Sequence, residues 1–226
     1  MKAKFNHSEK ITHNITTFWF EPEKKLNYLA GQYSDVTING LTHTYTLSSS
    51  PTEDLIGLST KFNEPVSQFK SGLQSLKKGD EIIIKEAMGD YVLPKDSSIP
   101  LIFVSGGIGI TPARSIIKYL IDTNQKRDIQ LLYAVNTEKD LAFDNLFKSA
   151  NFVKYVTIIS KPLEKINSET GKLDTNKVKA LAKISDNSMV FVSGPQVMVE
   201  TICYELAESI NRNQIIMDYF EGYADI

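Results

Sequence analysis

The chain has almost no cysteine. In 226 residues a lone Cys203 excludes a disulfide framework, and it equally excludes a protein-bound iron–sulfur cluster, which takes about four thiolates. Any redox centre held by these residues must therefore be organic. A basic excess is missing too: 25 Lys and Arg stand against 27 Asp and Glu, for a net charge of −2. The electrostatic footprint of a nucleic-acid binder is absent. Histidine is scarce, and His7 and His13 stand at no metal-ligand spacing with a thiol or carboxylate cluster, so no metal site is expected. No stretch approaches the ~18 to 20 apolar residues of a membrane span, and the opening MKAKFNHSEK lacks the apolar run of a signal peptide. A cytoplasmic location is the expectation.

What is present is an ordinary globular composition, 42% hydrophobic and 23% charged. The length suits two small cores. Up to about residue 90 the chain reads as short strands at 11–20, 34–38, 43–47, 55–62 and 81–86, with Gly and Pro between them, the pattern of a barrel or sandwich. One helix interrupts them at 66–76, where Val66, Phe69, Leu73 and Leu76 recur at helical spacing. The segment YVLPKDSSIP then marks a linker, and strands alternate with helices beyond it. Strands are expected at 101–105, 129–135, 153–160, 189–193 and 214–217, and helices at 112–122, 139–149, 175–183 and 196–210. That alternation implies a parallel sheet with right-handed crossovers. The expected architecture is an antiparallel β-barrel over 1–97 followed by an α/β parallel-sheet domain over 98–226.

Two loops carry the sharpest signal. In LIFVSGGIGITPARSIIKYL a buried strand runs into Gly106, Gly107 and Gly109, then into Thr111 and Pro112 as expected N-cap and first helical residue. Glycines let backbone approach a phosphate closely, and a helix N-terminus favours its charge. In FVSGPQVM a second apolar strand ends at Ser193, Gly194 and Pro195 and opens onto the same sheet edge. Together the loops bracket the crevice where parallel sheets bind ligands.

With both motifs in place, the chain resembles the ferredoxin-NADP reductase superfamily, and within it the short bacterial members without a fused ferredoxin domain. The resemblance implies a barrel holding FAD, with FMN the alternative, and a second domain binding NADH or NADPH. It implies that GGIGITP binds the nicotinamide nucleotide and that Ser193, where many relatives have cysteine, lies beside the nicotinamide. In HTYTLSSSP, where the family has R-x-Y-S/T, it implies that Tyr45 packs on the isoalloxazine and that Thr46 reaches N5, with His43 and Thr44 flanking them. A flat phenol ring and a hydroxyl suit those tasks.

His43 replaces the family's flavin-phosphate arginine and, lacking a charged bidentate fork, should hold phosphate less well. Lys61 stands as the compensating cation. The segment Val66-Ser67-Gln68-Phe69-Lys70 resembles the second flavin-phosphate motif, in which Ser67 and backbone N–H groups meet the pyrophosphate; its usual glycine is missing beside Glu64 and Pro65. Gly31 in YLAGQY and Gly89 in AMGDYVLP read as turn glycines. Asn136 aligns with the arginine that NADP-preferring relatives use for the 2′-phosphate; an amide cannot neutralise phosphate, which tilts the donor toward NADH despite Lys139 and Lys172 nearby. The tail MDYFEGYADI resembles the family's flavin-side aromatic end, implying Tyr219 and Phe220 at the ring, with Phe220 on the nicotinamide side. Cys203, in MVETICYELA, reads as core packing.

The resemblance implies hydride transfer from nicotinamide to flavin N5, catalysed with Thr46, Ser193 and Phe220, and onward electron flow to a carrier protein such as a ferredoxin or flavodoxin. Three alternatives stay open: a reductase of free flavin or other small acceptors, a non-catalytic flavin-bearing relay subunit, and, given His43 and the missing glycine, a degenerate, flavin-free nucleotide-binding module. No oligomeric state is read from these residues.

Overall fold

The computed structural model describes residues 1–164 and 168–220, with residue 220 described through its backbone alone. The N-terminal half is a six-stranded antiparallel sheet built from β1 (Lys2–Lys10), β2 (Ile15–Pro22), β3 (Tyr33–Ile38), β4 (Leu41–Thr46), β5 (Ile56–Lys61) and β6 (Glu81–Ile84), in the order β4-β3-β6-β1-β2-β5. Period-two burial drives it: Ser34, Val36 and Ile38 point inward from β3, Ile82 and Ile84 from β6. The sheet curls until its outer strands meet at one bridge, Leu47 to Leu58, both fully buried. The result is a barrel that is not fully closed. Helix α1 (Gln68–Ser75) plugs it with Phe69 and Leu73, and Ser67 caps the helix by accepting from the Lys70 amide at 3.4 Å.

The C-terminal half is a six-stranded parallel sheet. Its strands are β7 (Leu101–Gly106), β8 (Ile129–Val135), β9 (Val153–Ile159), β10 (Glu169–Thr170), β11 (Met189–Pro195) and β12 (Ile215–Phe220). Its helices are α2 (Thr111–Asp122), α3 (Asp144–Ser149), α4 (Thr175–Leu181) and α5 (Gln196–Leu206). The order β10-β9-β8-β7-β11-β12 reverses direction between β7 and β11, which opens a crevice at their carboxyl ends. Every residue of β7 is buried, as a central strand covered on both faces requires.

Three expectations change. The run 11–20 is a turn followed by β2, because the Thr12 hydroxyl accepts from the Ile15 amide at 3.0 Å and closes a tight loop; β1 lies before it. The helix expected over 139–149 is split: Thr137 and Asp140 cap a short turn over Glu138–Asp140, and Phe143 adopts φ 58° before α3 begins. Helix α5 stops at Leu206 rather than 210.

The two halves share a core. Ile15, Ala30 and Tyr91 pack into the cluster of Phe103, Ile116 and Phe191, and the Tyr91 ring meets Phe191 edge-on at 5.0 Å. Gly31 makes this approach feasible: at φ 99° its added Cβ would lie 2.0 Å from the Tyr91 carbonyl oxygen.

Candidate active site

At the carboxyl edge of the parallel sheet, residues Gly107–Ile110 turn as a 3-10 helix straight into α2. Gly107 has φ 54°, and a Cβ there would meet nothing within 4 Å, so its backbone faces open space. Gly109 has a different task. Its Cβ would stand 2.5 Å from the backbone of Ser193 and Gly194, and Gly194 itself, at φ 151°, would clash with Met198 at 2.8 Å. The two glycine loops therefore touch backbone to backbone, which no other residue type permits.

A cavity of about 420 Å³ lies against these loops. Gly106, Gly107 and Pro195 form one wall, Asn136 and Lys172 another, and Ile15 and Lys61 enter it from the barrel half. Asn136 accepts from the Ser160 hydroxyl at 3.2 Å through its side-chain oxygen. Thr111 and Pro112 are buried and are not among its lining residues. Thr111 is also not the N-cap: Ile110 holds that position in helical geometry, and the Thr111 hydroxyl donates back to the Ile108 carbonyl at 3.1 Å. The preceding 3-10 turn supplies the start that a polar cap would otherwise give.

Beside the loops lies a buried polar group that sequence reading missed. Strand register sets Ser105, Ser193 and Asp218 side by side on β7, β11 and β12. The Ser193 hydroxyl and Asp218 Oδ2 are buried with no hydrogen-bond partner among the described residues, and the buried Tyr91 and Ser105 hydroxyls have at most a loose contact with each other. Burial pushes the Asp218 carboxyl up to about 6. Burial, and secondarily the Asp218 charge, hold the Tyr91 phenol well above its ordinary range. Unpaired buried polar atoms are rare in a finished core, where ordered water, an ion or a ligand ordinarily completes the bonding. Register across three strands is invisible to local pattern; the M-D-Y-F run offered only the acidic residue.

On the barrel side, Tyr45 and His43 both stack on Phe69 of α1, at 5.4 Å and 4.4 Å between ring centres. Both are buried. Thr44 donates to Asp35 at 2.9 Å. Thr46 Oγ1, buried at the end of β4, has no hydrogen-bond partner among the described residues. Lys61 accepts from Lys70 Nζ at 2.7 Å through its carbonyl, and burial, then the Lys61 charge, lower the Lys70 ammonium below its usual range. Val66 and Ser67 lie at the start of α1, away from the cavity wall. Phe69 and Lys70, at the end of the segment 66–70 that resembles the second flavin-phosphate motif, are thus neighbours of His43, Tyr45 and Lys61.

Tyr219 is 38% exposed on β12, and the Phe220 backbone pairs with Pro195. The Phe220 side chain and Tyr223 lie outside the described residues. Cys203 is buried in α5, where burial pushes its thiol up to about 11. Among the described residues no group of three or more potential ligands could hold a metal, and no helix is long and apolar enough to cross a membrane.

Residues 103–204 match the oxidoreductase NAD-binding domain family. Among solved structures, the ferredoxin NADP+ reductase of Neisseria gonorrhoeae with bound FAD and NADP superposes with a TM-score of 0.82 at 18% identity, covering 97% of this chain and 98% of that one. The flavohem-like FAD/NAD-binding domain of the nitric oxide dioxygenase of Vibrio cholerae gives 0.80 at 20% identity, with coverages of 97% and 98%. Residues 103–204 are thus similar to an oxidoreductase NAD-binding domain, and the chain has the same two-domain fold as these two solved structures. More particularly, it is similar to flavohemoproteins: to one from Bacillus cereus at 28% identity over 91% of this chain and 57% of the relative, and to flavohemoprotein A of Dictyostelium discoideum at 28% over 86% and 53%. The chain spans a little over half the length of these relatives.

The residues present suit a flavin. Thr46 Oγ1, a buried hydroxyl with no partner among the described residues, is the group that the resemblance puts at N5, and the Ser193 hydroxyl, likewise buried and without a described partner, is the one it puts at the nicotinamide.

Proposed function

We propose that this protein takes a hydride from NADH onto bound FAD and passes the electrons to a protein acceptor of the ferredoxin or flavodoxin kind, acting in the cytoplasm. In this reading residues 1–97 hold the flavin and 98–226 the nucleotide. Bound flavin would supply the conversion between two-electron and one-electron chemistry. The chain's own work is to bind, orient and exclude water.

The observation that supports this best is the cavity at the switch point, walled by the touching glycine loops and entered by Lys61 from the barrel. Gly106 and Gly107 let backbone approach the nucleotide pyrophosphate, and Lys61, the cation that stands in for the flavin-phosphate arginine, lines the same cavity. Asn136, its oxygen held by Ser160, keeps an NH2 for a ribose hydroxyl. With the flavin bound, Thr46 would donate toward N5, Tyr45 would lie against the ring, Ser193 would orient the nicotinamide, and Phe220 would take the ring side that faces the nicotinamide. Val66, Ser67 and Lys70 would bear on the flavin phosphates at the start of α1, with His43 stacked on Phe69 of the same helix. A second acceptor class is favoured by one finding: the curated relatives are flavohemoproteins, so a haem protein is the next acceptor to try.

The test is an anaerobic titration of purified holoprotein with NADH and with NADPH, following the visible flavin band. Bleaching at lower NADH than NADPH is expected. Colourless protein that stays unchanged with both nucleotides overturns the proposal, and turnover that needs no carrier protein favours free flavin or small molecules as acceptors.

A further inference from the structure

Helix α2 leaves the glycine loop and immediately crosses the boundary between the halves. Its Arg114 is 8% exposed. The guanidinium forks onto both carboxylate oxygens of Glu53, with Nη2 to Oε1 at 2.9 Å, and Nη1 also donates to the Ser48 carbonyl at 2.9 Å. Trp19 and Phe143 cover the guanidinium at 5.5 and 5.6 Å, one ring from each half. Glu53 in turn accepts from the Ser50 amide at 2.7 Å. The next helix residue, Ser115, donates to the Ser49 carbonyl at 2.5 Å and accepts from the Gly31 amide at 3.3 Å. Ser48, Ser49 and Ser50 are thus all tied, directly or through Glu53, to two adjacent residues of α2.

This segment begins two residues after Thr46. Between them stands Leu47, fully buried, with its amide bonded to the Gln32 carbonyl at 2.9 Å. No slack separates the clamp from the hydroxyl. At the other end, α2 continues the glycine loop, which is pinned to β11 by the contact of Gly109 with Gly194. A buried ion pair gains little stability over well-packed apolar residues, whereas a bidentate fork fixes distance and angle in a way that apolar contact cannot.

We infer that Arg114 and Glu53 are positioning residues, which set the separation between Thr46 and the glycine loop and so govern the hydride step without contacting flavin or nucleotide. The inference rests on the hydride-transfer reading above. A misplacement of about 1 Å in such a step costs on the order of 100-fold.

The experiment compares the FAD-loaded protein with Arg114→Lys and Glu53→Gln by anaerobic stopped-flow mixing with NADH. Glu53→Gln keeps shape and most hydrogen bonds, so it reports even if Arg114→Lys fails to fold. The expected result is a limiting reduction rate about 10- to 100-fold lower, with bound flavin and the nucleotide dissociation constant changed less than about twofold. The long-wavelength charge-transfer absorbance of stacked nicotinamide and flavin should weaken in parallel. If unsubstituted protein is not bleached at all, the hydride reading falls and the inference with it. If it is bleached and both variants reach the same limiting rate, only the positioning role is overturned.

Discussion

Gly109 shows how one missing methyl group decides a site. Its Cβ would enter backbone at 2.5 Å, with no flexible side chain to yield. Gly109→Ala should therefore destabilise the protein by about 3 kcal/mol, at the upper end for overpacking, and weaken nucleotide binding as the loops part; thermal unfolding and an NADH titration check both. Thr46 works in the opposite sense. Its buried hydroxyl has no partner, so Thr46→Val should stabilise the flavin-free protein by about 1 kcal/mol while slowing flavin reduction at least tenfold, measured by urea unfolding and stopped flow. Asp218 adds a pH dependence. Its folded-state carboxyl, at about 6 against an ordinary 3.8, holds its proton more tightly than in the unfolded chain. The stability this contributes is complete below 3.8 and is lost as pH rises through about 6. Asp218→Asn should flatten the stability profile over that interval, and an unaltered profile would show that the carboxyl ionises normally.

Among the elements, α1 links stability to the flavin side. Its Ser67 cap should be worth about 1 kcal/mol by Ser67→Ala. Phe69→Ala should cost about 4 kcal/mol and free the His43 and Tyr45 rings that stack on it, so chemical denaturation and flavin retention should fall together. Local pattern made β7, α2, β8 and β11 legible, because fully apolar strands followed by glycine and an amphipathic helix are written in consecutive residues. It missed β1, whose inward Ala3 and Phe5 alternate with lysines in a segment otherwise polar. It joined 139–149 into one helix because the Thr137–Asp140 box ends a turn as readily as it starts a helix. The glycines and Thr46 of the candidate site were legible as motif. Ser105, Tyr91 and Asp218 were not, since only strand register and the packing of one half on the other bring them together.

For the whole molecule, the shared core of Ile15, Ala30, Tyr91 and Phe191 makes the halves one cooperative unit. Unfolding should follow a single transition whose midpoint rises with added FAD, by roughly 2.7 kcal/mol of linkage at a hundredfold excess over its dissociation constant; two separate calorimetric peaks would contradict the shared core. The nearly balanced charge, −2 overall, implies that acceptor docking depends on local patches rather than a global field.

The chain's one tryptophan sits at the seam itself, its indole bonded to Glu9 at 3.1 Å and facing the Arg114 guanidinium. Nature has thereby installed a single intrinsic fluorophore at the joint. Its emission wavelength and lifetime would report any hinge opening during turnover with no label attached.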